Sequence, residues 1–150
     1  MRAAAWFRAT GVVLVLFAAG HTFGFLKFRP ATSDGLAVWD AMNAVHFAFG
    51  NSLRSYGELY RGFGLFITVF YLFEAWLAWS LGAMSRRSVG ETERVAGALL
   101  ALQIAGLGLS LEYFGAGPSS LSVVAIVGLA GGLWSLRSVR QRVTSAVVAV

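Results

Sequence analysis

The chain has 150 residues, a length for one domain, and 57% of them are hydrophobic while 13% are charged; soluble domains run nearer about 45–50% apolar and about 25% charged. So little polar surface excludes an ordinary water-soluble globule, and the absence of cysteine excludes disulfides, thiolate nucleophiles, cysteine metal sites and dithiol redox relays. The net charge of +5 comes without a basic–aromatic stripe on a polar surface, so no nucleic-acid partner is expected, and the partner the composition implies is the lipid bilayer.

The first apolar run, Ala9 to Leu26, carries 18 residues without a formal charge. Met1-Arg2 ahead of it and Ala18-Ala19-Gly20 within it resemble a secretory signal and its cleavage site. The apolar pattern nevertheless continues through Phe23, Phe25 and Leu26 to a stop at Lys27 and Arg29, so a retained span is expected. Pro30 and Thr32-Ser33-Asp34 then read as a helix start. From Leu36 to Phe49 the spacing predicts a helix with three faces. Val38, Trp39, Met42, Val45 and Phe49 form a bulky apolar face, Ala37, Ala41, Ala44 and Ala48 a small-residue stripe, and Asp40, Asn43 and His46 a polar strip. Such a helix suits the outer leaflet of a membrane.

Three further runs follow: Gly62 to Ala83, interrupted by Glu74; Val95 to Phe114, carrying Gln103 and Glu112; and Leu121 to Leu136. With interfacial residues the four spans cover about 6–28, 60–83, 94–114 and 119–139, each near the ~20 residues that cross a hydrocarbon core. The expected fold is an all-α four-helix transmembrane bundle, with the amphipathic external helix, about 34–49, between the first two spans. Small residues four apart, Gly20/Gly24, Gly97/Ala101/Ala105 and Gly128/Gly132, are candidates for close helix contact. Of the Lys and Arg beside the spans, Arg2, Arg8, Arg86, Arg87, Arg94, Arg137, Arg140 and Arg142 fall on one side, against Lys27, Arg29, Arg54 and Arg61 on the other. The positive-inside bias puts both termini in the cytoplasm, with residues 28–61 and the Gly115-Ala116-Gly117-Pro118 turn outside.

Ionisable groups inside a bilayer need a partner or a task. Glu74 lies 12 residues from the outer start of its span and Gln103 lies 11 from the outer end of the next. At about 1.5 Å per residue both sit about 17–18 Å deep, which makes them neighbours on antiparallel helices. Tyr71 shares the face of Glu74. With no Lys or Arg at that depth the acid is read as neutral, either glue between helices or a proton- or ligand-binding carboxyl. His21 and Glu112 fall within about 9 Å of the outer face, and His46 approaches from the external helix. Together they suggest an outer-leaflet polar pocket, with His21, His46, Glu74, Gln103, Glu112 and Tyr71 as ligand-binding candidates. Two histidines and a carboxylate are ligand types for a divalent metal or haem, but the spacing matches no ligand motif, so neither metal nor cofactor is expected.

The strings His21-Thr22-Phe23-Gly24-Phe25-Leu26, Phe28-Arg29-Pro30 and Tyr60-Arg61-Gly62-Phe63-Gly64-Leu65-Phe66 resemble those of a family of small uncharacterised bacterial four-helix integral membrane proteins. That resemblance covers most of the chain and implies a bacterial inner membrane, but no activity, cofactor or catalytic residue. There is also an architectural similarity to sterol-isomerase-like four-helix membrane proteins, with no local motif shared. The function expected is binding, of a small lipophilic molecule or a membrane-protein partner. One alternative is an enzyme using His/Glu acid–base chemistry on a lipophilic substrate; another is a structural subunit of a larger complex.

Overall fold

The computed structural model describes residues 2–148, with side chains for 2–139 and 141. Five helices and one hairpin are present among them: α1 (Arg2–Lys27), α2 (Ser33–Ala44), β1 (His46–Phe49), β2 (Ser52–Ser55), α3 (Tyr56–Met84), α4 (Val89–Tyr113) and α5 (Ala116–Val148). Four helices are long and apolar enough to cross a membrane: α1, α3, α4 and the Ala116–Val139 part of α5. Less than half of each apolar stretch is buried within the protein. The chain divides into two compact units, Met1–Phe17 with Leu72–Val150, and Ala18–Tyr71.

In the first unit α1 packs on α3 and on α5 through glycines. Gly11 approaches α3 so closely that a Cβ there would stand 3.0 Å from the Ala75 carbonyl oxygen. On α5, Gly128 lies against Thr10, Gly131 against Trp6 and Gly132 against Phe7. With Gly82 of α3 set against Ala4 and Arg8, these pairings run α1 antiparallel to both α3 and α5. Phe7, Leu81, Leu129 and Thr92 are the largest side chains fully enclosed. Large rings such as Phe73, Trp76 and Trp134 face outward, the reverse of a soluble core.

Two expected small-residue stripes do not serve this purpose. Gly20 and Gly24 have nothing within 4 Å of a notional Cβ, nor does Gly97, and Ala101 and Ala105 are exposed. Four-residue spacing identifies a common face but not which neighbour, if any, that face meets. Only the Gly128/Gly132 stripe makes close contacts.

The second unit holds the end of α1, then α2, the hairpin and the first half of α3. Thr32 caps α2 by accepting from the Gly35 backbone N–H at 3.2 Å. The helix ends at Ala44, five residues before the sequence-based boundary, and no residue in it is buried. Val45 turns extended, and His46–Phe49 pairs antiparallel with Ser52–Ser55, His46 opposite Ser55 and Phe49 opposite Ser52. Gly50 takes φ +59 at the first turn position while no described non-glycine residue has positive φ, the pattern of a type II′ hairpin turn. The β-branched and aromatic residues of 45–49 favour a pleated strand once such a turn follows. The Ala stripe does not dock as a unit: Ala37, Ala41 and Ala44 are exposed on α2 and Ala48 is exposed on β1.

At its other end the chain starts α5 at Ala116, directly after Gly115 at φ +77, so the expected Gly115–Pro118 turn is shorter than predicted. Pro118 falls in the first helical turn, where its missing N–H leaves no bond unmade.

Candidate functional site

Glu74 and Gln103 meet in the first unit. Gln103 Nε2 donates to Glu74 Oε2 at 2.6 Å, with Glu74 7% and Gln103 4% exposed. The two side chains meet as expected from their depth, because residues equally far from the same end of antiparallel helices come level. Other buried polar side chains of this unit answer to their own helices: Thr10 donates to the Trp6 carbonyl, Thr92 to Ser88 and Ser119 to Gly115. Among the described residues no buried side-chain nitrogen or oxygen lacks a partner.

The second unit gathers a different set. His21 Nε2 lies 3.0 Å from the Gly64 carbonyl oxygen. A carbonyl only accepts, so Nε2 carries the proton and a neutral ring leaves Nδ1 as acceptor. Gly64 has no side chain, and Phe25 occupies the space a Cβ would need. One turn along α3, Thr68 meets Thr22 at 2.7 Å. Thr22 spends its single hydroxyl proton on the Ala18 carbonyl, also at 2.7 Å, so Thr68 is the donor between helices. Composition and hydropathy gave no signal for this threonine pair, because Thr22 and Thr68 pass as small members of apolar runs.

Rings continue from His21 outward. Its imidazole stacks on Phe25 with centroids 5.7 Å apart and meets Tyr71 edge-on at 6.4 Å. Phe25 packs on Tyr60 at 5.1 Å, Tyr60 on Trp39 at 6.0 Å and Trp39 on Phe28 at 6.0 Å. Between α2 and the facing ends of α1 and α3 this chain of rings borders a cleft of about 300 Å³, lined by Phe28, Pro30, Val38, Trp39, Met42 and Tyr60. That volume is at the small end of ligand pockets. Its wall is held by polar contacts behind it: Arg61 donates to Asn43 Oδ1 at 3.1 Å, and Asn43 Nδ2 donates to the Trp39 carbonyl at 2.7 Å. Gly57 lets α3 seat against Asn43. Below the hairpin, Ser55 and Glu58 exchange backbone-to-side-chain bonds of 2.8 and 3.1 Å, a capping box that starts α3. The Ser55-Tyr56-Gly57-Glu58 string carries that signature in plain view.

One candidate of this unit does not join the cluster as expected. His46 sits on β1 rather than on a helix, exposed, its Nδ1 donating to the Ala44 carbonyl at 2.8 Å. The hairpin that replaces the helix after Ala44 is the reason. His21 takes the Gly64 carbonyl as a partner, and Glu112, which belongs to the other unit, is exposed in the last turn of α4. No group of three His, Cys, Asp or Glu able to hold a metal ion occurs among the described residues. A recess of about 450 Å³ in the first unit is lined by Arg2, Ser85, Arg86, Trp134 and Ser138. Its arginines are exposed, and Ser85 and Ser138 already donate to the Gly82 and Trp134 carbonyls. No protein-family model, curated protein or solved structure matches the chain.

Proposed function

We propose that the chain is a multi-pass protein of a bacterial inner membrane, both termini cytoplasmic, that binds a small lipophilic molecule in the aromatic cleft beside α2. The observation that carries this reading is the cleft itself: about 300 Å³ walled almost entirely by apolar and aromatic side chains. Apolar walls with one phenol and one indole at the rim favour a flat or unbranched lipophilic ligand over a charged one. This keeps the ligand class expected from the sequence and moves its place from a His21–His46–Glu112 pocket to the cleft, which His21 adjoins through Phe25 and Tyr60. In this reading α2 is the external helix at the outer face. Its Val38, Trp39 and Met42 face the cleft, so the helix would cover the ligand from that side. The acid–base alternative finds less support, because His21 spends its Nε2 proton on a backbone carbonyl.

Native mass spectrometry of gently extracted protein tests the proposal. Wild type should carry a small lipophilic adduct, and Met42→Trp, which fills the cleft, should lose it while the helical content stays the same. An adduct that survives Met42→Trp, or a wild type that carries none, rules out the cleft as a ligand site.

A further inference from the structure

A second apolar recess lies within the unit of residues 1–17 and 72–150. It is a groove of about 360 Å³ between α1 and α3, with Val12 and Leu16 along one wall and Leu72, Trp76 and Trp79 along the other. Gly11 forms its floor, because the close approach to Ala75 draws the two backbones together and leaves the flanking side chains standing on either side. All five wall residues are exposed, with Leu16 at 65% and Trp76 at 62%.

Arg8 stands next to this groove, one turn of α1 from Val12. Its guanidinium carbon is 5.4 Å from the centroid of the Trp79 ring, which itself lines the groove. Its stem crosses Gly82, where a Cβ would come within 3.0 Å of Arg8 Cγ and 3.3 Å of Nε. A bare backbone at 82 and an indole face at 79 therefore hold a cation at a fixed place beside an apolar channel. Arg8 shares no ion pair with a described residue; the pairs present are Arg54–Glu58 and Arg137–Glu93. It also directly precedes the uncharged stretch Ala9 to Leu26. That is the level at which an apolar helix surface gives way to headgroups.

We propose that this groove and Arg8 form a binding site for an anionic phospholipid, with one acyl chain along Val12, Leu16, Leu72 and Trp76 and the phosphate on the Arg8 guanidinium. The inference rests on the membrane placement proposed above and is independent of the aromatic cleft. An apolar groove alone would take the chain of any lipid. The fixed guanidinium, with no ion pair among the described residues, adds the preference for negative charge, since it can present two parallel N–H donors to phosphate oxygens. A single basic residue at a membrane surface corresponds to a preference of about five-fold.

The experiment uses full-length protein in nanodiscs of equal phosphatidylglycerol and phosphatidylcholine, released and weighed by native mass spectrometry. Wild type should retain phosphatidylglycerol about five-fold over phosphatidylcholine. Arg8→Gln, which keeps the stem over Gly82, should still retain lipid but lose the preference. Val12→Trp, at an exposed position, should fill the groove and reduce retention of both lipids. Equal retention by wild type, or an unchanged preference in Arg8→Gln, overturns the proposal. So does a lipid-free dimer, which would give the groove to a second copy of the chain. Failure to enter nanodiscs overturns the membrane placement as well, whereas entry without a preference overturns only this site.

Discussion

At the scale of single residues, one buried polar pair joins two helices: Gln103 and Glu74. Gln103→Leu strands the buried Glu74 carboxyl and should lower stability by about 1–2 kcal/mol. Glu74→Gln keeps a hydrogen-bonding group at the contact and should cost less. A double-mutant cycle on the pair, read by unfolding in mixed micelles, should return a coupling of about 0.6 kcal/mol and not much above about 1.7. Coupling indistinguishable from zero would mean that each side chain finds another partner. The same method separates the glycines. Gly64→Ala drives a methyl into the Phe25 ring beneath the His21 bond and should cost about 1–3 kcal/mol. Gly24→Ala meets nothing within 4 Å and should be neutral or stabilise by up to about 1 kcal/mol. Equal effects at the two positions would contradict the packing described. The Glu74–Gln103 contact was legible in the sequence because depth in a helix is a count of residues. The burden on Gly64 was not, because it depends on which ring of α1 lies opposite.

Among the elements, α2 and the hairpin show where periodicity misleads. Positions 38, 39, 42, 45 and 49 fit one helical face, but Val45 to Phe49 fits a strand equally well, and a short run cannot decide between them. The turn decides. Gly50-Asn51 followed by Leu53 and the capping pair Ser55/Glu58 closes a hairpin and launches α3, and each of these signals is local. The long apolar helices read through more easily, since composition over about 20 residues averages out such ambiguity. Their polar extensions did not: α4 begins at Val89 and includes the charged stretch Glu91 to Arg94, which hydropathy cannot assign. The capping box gives an element-scale test. Glu58→Ala removes the carboxylate that accepts from the Ser55 N–H and should cost about 1 kcal/mol, seen as faster amide exchange confined to the start of α3 and the hairpin. Exchange spread evenly along α3 would show that the box does not hold this end.

For the whole molecule, the distribution of side chains supports the membrane reading more strongly than composition alone. Small and polar residues such as Ala78, Ala96, Ala125 and Gln103 share the interior with Phe7, Leu81 and Leu129, while Phe66, Phe70, Trp76 and Trp134 lie outside. Water would penalise that arrangement heavily, whereas lipid makes the exposed rings cost little. The eight-to-four division of basic residues is what favours cytoplasmic termini in the proposed orientation. The chain has no cysteine, so single thiols can be introduced against a silent background. The most direct test is labelling of Ser33→Cys and Ser88→Cys variants in intact cells with a membrane-impermeant maleimide. Ser33→Cys, at the start of α2, should label from outside, and Ser88→Cys, between α3 and α4, only after the membrane is opened. The reverse pattern would invert the topology, and labelling of both in intact cells would contradict the four-span account.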